Sequence, residues 1–175
     1  MKLKKFNELY NKIILESIKD GKISLISKNE IKKIIDNNEI ENENSRIKNF
    51  NNLTKLFYSN DIDYYVVKDS EGKIRACAGC AKRFHNSYYI NELFSFRKGY
   101  GSLLLHYLLS LNYDIIYLNS NWEEEESLNG YYRRPEFGLT ETTYKRSDDK
   151  IVHYFYLNKK LNEEELQEFI KDIMI

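Results

Sequence analysis

The stretch from Glu92 to Leu111, ELFSFRKGYGSLLLHYLLSL, changes character in its middle. Its first half continues a strand pattern, and its second half has apolar residues at helical spacing. Arg97, Lys98, Gly99 and Gly101 lie where the two halves meet. Backbone N–H groups at the start of a helix attract anions, and glycines let a ligand approach them closely. The stretch therefore predicts a strand, a phosphate-binding turn and a helix.

The alternative for this glycine turn is a tight turn that only caps the helix, because a G-x-G at a strand-to-helix join is weak evidence by itself. The spacing excludes two better-known phosphate loops. The chain has no G-x-x-x-x-G-K-S/T, and GYGSLL lacks the third glycine of a dinucleotide fingerprint. The elements around the turn must therefore decide between the two interpretations.

The composition indicates one domain of ordinary size without a strong electrostatic field. The chain has 175 residues, and Lys plus Arg and Asp plus Glu both number 27. This zero net charge argues against nucleic acid as a partner. The N-terminus lacks the apolar run of a signal peptide, and no stretch is long enough to span a bilayer. We therefore expect a cytoplasmic protein that has no membrane partner.

Periodicity predicts an α/β (α+β) fold with about seven strands in a mixed, mostly antiparallel sheet flanked by helices. The predicted strands are 22–27, 63–69, 74–83, 88–96, 114–120, 139–146 and 150–158. The predicted helices are 2–19, 28–35, 46–58, 99–111, one within 121–134, and 162–174 with Asn162 as its N-cap. Because helix 99–111 joins two strands by a crossover, those strands should be parallel. Residues 1–175 are predicted to form a single domain.

The order of elements and two motifs resemble the GNAT superfamily of acyl-CoA-dependent N-acyltransferases, over about residues 23–158. In that family a strand leads into a turn of the form Q/R-x-x-G-x-G/A and a helix. FRKGYGSLLLHYL resembles this motif, although Phe96 stands at the Q/R position. SLNGYYRRPEF is similar to the family segment A-x-x-F/L-Y-x-x-x-G-F, with Tyr132 and Phe137 at the aromatic positions and Glu136 in place of glycine.

The resemblance implies a ternary complex in which a primary amine attacks acetyl-CoA directly, without a metal. Glu92 would accept the proton of the amine, and Tyr132 would protonate the departing thiolate. The polar segment 36–45 would close over the substrate. The backbone of the turn would hold pantetheine and pyrophosphate through Phe94, Ser95, Phe96, Arg97, Lys98, Gly99, Tyr100, Gly101 and Ser102. The alternatives are a solvent-facing strand carboxylate for Glu92 and a packed aromatic ring for Tyr132.

The acceptor could be a small molecule or a protein amine. Carboxylates in the acidic run from Glu123 to Glu126 would interact favourably with the positive end of a helix dipole. If the run instead lines the acceptor cleft, it would attract a cationic amine such as a polyamine, an aminoglycoside-like compound or a protein lysine. One rival function is a catalytically eroded GNAT-like module that binds a partner protein through helices 2–19 and 162–174. A homodimer is a further possible assembly of the chain. Another is acetylation of aminoacyl-tRNA, against which the net charge argues.

The pair Cys77 and Cys80, with His85 nearby, invites a zinc or redox interpretation, which we reject. There is no second cysteine pair, and residues three apart in a strand point to opposite faces. A redox pair would also need a helix N-terminus. His106 and His153 are interpreted as packed residues rather than catalytic ones.

Overall fold

The computed structural model describes residues 21–36, 61–120 and 126–174, with the side chains of 35, 36 and 126–128 excepted. The predicted helices 2–19 and 46–58 lie outside these residues. Nearly all of the polar segment 36–45 also lies outside them. The side chains of the acidic run Glu123 to Glu126 are not described either. The chain divides into two units, Met1–Ala81 with Glu92–Leu108, and Lys82–Asn91 with Leu109–Ile175. The single domain stays a prediction.

Seven strands and four α-helices are present in the described part of the chain. In order they are β1 (Lys22–Ile26), α1 (Lys28–Asp36), β2 (Ile62–Lys68), β3 (Ile74–Arg83), β4 (Ser87–Ser95), α2 (Tyr100–Ser110), β5 (Ile115–Ser120), α3 (Glu126–Tyr132), a 3-10 helix (Pro135–Phe137), β6 (Thr140–Lys145), β7 (Ile151–Asn158) and α4 (Glu163–Ile173). None of the helices in the described ranges has the length and apolar character needed to cross a membrane.

The strands form one sheet in the order β1-β2-β3-β4-β5-β7-β6. Strands β4 and β5 run parallel, and α2 connects them. The pairs β1/β2, β2/β3, β5/β7 and β6/β7 are antiparallel. The predicted mixed, mostly antiparallel sheet of seven strands is therefore confirmed, and so is the parallel pair on either side of helix 99–111.

The core of the first unit lies between α1 and strands β2 and β3. Ile31 and Ile34 lie about one turn apart and give α1 its apolar face. They belong to a buried cluster with Tyr64, Val66, Ile74, Cys77 and Phe96. Cys77 and Cys80 are both buried in β3, which agrees with their interpretation as ordinary packed residues.

The core of the second unit is formed where α4 packs on the sheet. Phe169 is 0% exposed and meets the ring of Tyr117 edge-on, with ring centroids 5.1 Å apart. Ile115 and Tyr156 complete the buried cluster. The predicted N-cap of α4 is confirmed: Asn162 Oδ1 accepts the Glu165 amide at 3.0 Å, and Glu165 Oε2 accepts the Asn162 amide at 2.8 Å. This capping box fixes the start of the helix that supplies Phe169.

We expect Asn162→Ala to lower the free energy of unfolding by about 1 kcal/mol. The Glu165 amide loses its acceptor, Asn162 Oδ1, and the reciprocal bond from the amide of residue 162 to the Glu165 carboxylate is weakened. Urea unfolding should show a lower midpoint with an unchanged slope. Asn112→Ala, at an exposed asparagine in the α2–β5 connection, is the matched control. Equal midpoints for both variants would contradict a stabilising role of the capping box.

Candidate functional site

Two different constraints require the glycines of the turn between β4 and α2. Gly99 has a φ of 93°, in the region that residues with a side chain rarely adopt. At Gly101 the limit is space, because a Cβ built there would lie 2.7 Å from Ser95 Cβ. The backbone conformation therefore requires glycine at position 99, and the packing on Ser95 requires it at position 101.

Ser95 holds the turn against the first turn of α2. Its hydroxyl donates to the Arg97 carbonyl at 2.7 Å and accepts the Gly101 amide at 3.0 Å. Ser95 thus satisfies one of the helix N-terminal donors that would otherwise lack a partner within the helix. The close packing of Gly101 on Ser95 makes this hydrogen bond geometrically accessible.

The backbone amides of the turn divide into two groups. The amides of Phe96 and Arg97 donate to the Arg75 carbonyl at 2.8 and 3.3 Å, and the Phe96 side chain is 0% exposed in the core of the first unit. The amides of Lys98 and Gly99 have no hydrogen-bond partner within the described residues. The anion-binding hypothesis therefore narrows to these two amides and to the exposed side chains of Arg97 and Lys98.

Arg75, which the sequence analysis did not single out, anchors this turn through a buried ion pair. Its Nε donates to Asp69 Oδ2 at 2.6 Å, and both side chains are almost fully buried. Asp69 Oδ1 also accepts the amides of Glu71 and Lys73 in the β2–β3 turn. The hydrogen bond from Arg75 lowers the pKa of Asp69. Because the Arg75 carbonyl accepts from the glycine turn, this hairpin fixes where the turn begins.

Glu92 lies on β4, three residues before Ser95, and is half-buried. Burial raises the pKa of its carboxyl to about 7. Burial also raises the pKa of the Cys77 thiol, with a further contribution from the charge of Glu92. Such a carboxyl changes its protonation state near neutral pH, which is the property that a general base requires.

Tyr132 is the last residue of α3, in the second unit. Its ring is half-buried, with its centroid 5.3 Å from that of Phe155 on β7 and 5.2 Å from that of Tyr131. Phe137 is buried, and the next residue, Gly138, has a φ of 62°. The glycine of this segment therefore follows Phe137, whereas the family pattern places it before.

A network that the sequence analysis missed lies in the same unit. Arg133 donates from Nε to Glu141 Oε2 and from Nη2 to Glu141 Oε1, both at 2.7 Å. His153 Nδ1 lies 2.6 Å from Glu141 Oε1. These hydrogen bonds, that from Arg133 foremost, lower the pKa of Glu141 to about 2. The sequence signal for this network was only that Glu141 and His153 lie in successive strands. The register of the two strands, which the sequence does not reveal, decides whether the two side chains meet.

The structure places Glu92 and the glycine turn on one strand, turn and helix of the first unit. It places Tyr132, Arg133, Glu141 and His153 in the second unit. Within the described ranges, no group of three His, Cys, Asp or Glu side chains could hold a metal ion.

The overall architecture is shared with many solved structures. The spermidine/spermine N-acetyltransferase SpeG from Vibrio cholerae is 16% identical, with a TM-score of 0.53 over 80% of this chain and 93% of its own. Ard1 from Thermoplasma volcanium is 17% identical, with a TM-score of 0.50 over 82% and 99%. The chain has the GNAT fold. No protein-family model and no curated protein sequence matches it. At these identities the GNAT likeness establishes the fold alone.

A second SpeG structure is described as dodecameric and is 18% identical, with a TM-score of 0.52 over 80% of this chain and 94% of its own. The structural neighbours named here thus include N-acetyltransferases, and the predicted GNAT resemblance is confirmed at the level of the fold.

Proposed function

We propose that the protein transfers the acetyl group of acetyl-CoA to a primary amine. The glycine turn carries this proposal. It joins the parallel strands β4 and β5 of a GNAT fold through α2. It also combines two exposed basic side chains with two amides that lack a hydrogen-bond partner among the described residues. A charge-assisted hydrogen bond contributes about 1.5–3 kcal/mol, so several such interactions suffice to hold a pyrophosphate.

The reaction assigns one proton transfer to each of the two predicted catalytic residues. Glu92 accepts the proton that the protonated amine must lose before its nitrogen can attack, and its pKa of about 7 suits that role at neutral pH. The second proton, which the nitrogen loses as the C–N bond forms, balances the one that sulfur gains. Tyr132 donates a proton to sulfur as the C–S bond breaks. The amine attacks the thioester directly, so no covalent enzyme intermediate forms.

The first acceptor class to test is the polyamines, because solved structures with this fold include spermidine N-acetyltransferases. A peptide that contains lysine is the second acceptor to test. Both carry primary amines that are almost entirely protonated at neutral pH, since the pKa of such an amine is about 10.4. Thiol release from acetyl-CoA reports turnover with either acceptor.

Calorimetric titration with acetyl-CoA tests the binding step directly. We expect saturable binding by the intact chain, and binding of dephospho-CoA as well, because that ligand keeps the pyrophosphate. The double variant Arg97→Ala/Lys98→Ala removes two charged donors from the turn. Each charge-assisted hydrogen bond that it removes should weaken binding by roughly 10-fold or more.

The matched control for this titration is Lys82→Ala/Arg83→Ala, which removes two exposed basic residues at the end of β3. It should leave the affinity unchanged. An equal loss in both double variants would assign the effect to net charge instead of the turn. No saturable binding at millimolar acetyl-CoA would overturn the proposed function.

A further inference from the structure

The start of β3 contains one residue more than the stretch of β2 that it pairs with. Val67 on β2 pairs with Ala76, and the next residue, Lys68, pairs with Ile74. Arg75 lies between the two paired residues of β3 and is therefore the extra residue of a β-bulge. Bulges bend a strand locally and are frequent beside active sites. This one lies against the glycine turn of the first unit.

The carbonyl of the bulged residue accepts two hydrogen bonds from the glycine turn. The donors are the successive amides of Phe96, at 2.8 Å, and Arg97, at 3.3 Å. In a regular ladder a carbonyl accepts one amide from the neighbouring strand. The second hydrogen bond at Arg75 therefore turns the chain out of the ladder directly after the end of β4 at Ser95.

The direction of the next amide follows from the hydrogen bonds of the Arg97 carbonyl. This carbonyl accepts the Ser95 hydroxyl at 2.7 Å and the Tyr100 amide at 3.4 Å. No peptide bond between described residues is cis, and in a trans peptide the carbonyl and the following N–H point in opposite directions. The Lys98 amide therefore points away from Ser95 and from the start of α2, where a ligand can reach it.

A buried ion pair holds the side chain of the bulged residue. Arg75 Nε donates to Asp69 Oδ2 at 2.6 Å, and the two side chains are 4% and 6% exposed. The other carboxylate oxygen, Oδ1, accepts the amides of Glu71 and Lys73 in the β2–β3 turn. The Asp69 carboxylate thus links this hairpin turn to the bulge, and the bulge carries the glycine turn.

Stability does not by itself account for this pair. Burial removes both charges from water, and apolar residues of similar size often stabilise a fold as well as a buried ion pair does. The neighbourhood is suitable for apolar residues, because Ile74 and Phe96 are both buried in the core of the first unit. Apolar contacts are not directional, however, whereas a hydrogen bond fixes both a distance and an angle. The pair therefore supplies a defined position for the bulge.

We propose that Asp69 and Arg75 are positioning residues for the acyl donor. Their ion pair fixes the bulge whose carbonyl sets the glycine turn in the conformation that presents the Lys98 and Gly99 amides to the pyrophosphate of acetyl-CoA. This inference rests on the proposed acetyl transfer. Neither side chain touches the donor. They act by ordering the turn before the donor arrives, so that binding does not have to bear the cost of ordering it.

The double variant Asp69→Asn/Arg75→Met removes the ion pair without leaving a buried charge unpaired. Asparagine keeps an acceptor for the amides of Glu71 and Lys73, and methionine fills much of the space of the arginine. Urea unfolding should have a midpoint near that of the wild-type protein. Calorimetric titration should show acetyl-CoA bound about 10-fold more weakly. The KM for acetyl-CoA should rise in parallel, and kcat at saturating substrates should stay unchanged.

Two further variants serve as controls. Arg75→Lys keeps a positive charge for Asp69 and should retain most of the affinity for acetyl-CoA. Asn162→Ala lowers stability in the second unit and should bind acetyl-CoA like the wild-type protein. Unchanged affinity in the double variant would overturn the inference. So would an equal loss of affinity in Arg75→Lys or in Asn162→Ala, because the ion pair would then not be the cause.

Hydrogen exchange in the wild-type protein tests the same inference without any substitution. The Phe96 and Arg97 amides should be protected before the donor is added, and the Lys98 and Gly99 amides should become protected only with acetyl-CoA. Phe96 and Arg97 amides that gain their protection only with the donor would show a turn ordered by its ligand, which overturns the inference. Wild-type protein that binds no acetyl-CoA would instead overturn the proposed function itself.

Discussion

Glu92→Gln is expected to lower kcat with amine acceptors by about 100- to 10,000-fold, the usual contribution of a general base. Glutamine keeps the size and the hydrogen-bonding atoms of the side chain but cannot take a proton. In the wild-type protein, turnover should rise with pH through about 7 as Glu92 ionises. This rise should be absent from the residual activity of the variant.

The same substitution should make the protein more stable at alkaline pH. Burial raises the pKa of Glu92 from 4.5 to about 7, so the folded protein binds more protons than the unfolded chain between these values. Stability therefore falls as the pH rises through this window and stays lower above it. The neutral glutamine lacks this cost, which amounts to at most about 3 kcal/mol. Urea unfolding near pH 5 and near pH 8 measures the difference.

The control for both effects is Glu71→Gln, at an exposed glutamate in the β2–β3 turn. It should change neither turnover nor the pH dependence of stability. Undiminished turnover in Glu92→Gln would remove Glu92 from the mechanism. A variant that loses activity without gaining stability at alkaline pH would show that Glu92 is not desolvated in the folded protein. Loss of activity together with a gain of stability would show that Glu92 serves function and lowers the free energy of unfolding.

The sequence predicted the elements of this fold well because their signals are local. The aromatic and β-branched run of β2, the apolar run of β3, the turn residues between them and the apolar spacing of α2 each lie within one short window. The N-cap at Asn162 is equally local, since its partner Glu165 is three residues away. Periodicity, turn chemistry and capping are therefore readable without tertiary structure.

The parts of the site that the sequence did not predict depend on distant residues. The amide of Phe96 was predicted to face coenzyme A, yet it donates to Arg75, which belongs to another strand. The need for glycine at position 101 comes from the side chain of Ser95. The pairing of Glu141 with His153 depends on the register of β6 and β7, and a shift of one residue would separate the two side chains.

Tyr132→Phe is expected to lower kcat by about 100- to 10,000-fold while leaving the dissociation constant for acetyl-CoA unchanged. The variant loses only the hydroxyl that is proposed to protonate sulfur. It retains the ring, and with it the packing on Phe155 and Tyr131 that places α3 on the sheet. Single-turnover thiol release and calorimetric titration with acetyl-CoA measure the two quantities separately.

Tyr131→Phe is the control, because Tyr131 precedes Tyr132 on the same helix and packs on Phe137 and Arg134 through its ring. Removal of its hydroxyl should leave turnover near the wild-type value. A loss of acetyl-CoA affinity in Tyr132→Phe as large as the loss of kcat would mean that the hydroxyl binds the donor instead of protonating the thiolate.

An acetyl donor whose thiolate leaves without being protonated distinguishes the two roles of the hydroxyl. With an acetyl thioester of an acidic aromatic thiol, the defect of Tyr132→Phe should shrink, since the thiolate departs unaided, whereas a binding role would leave the defect undiminished.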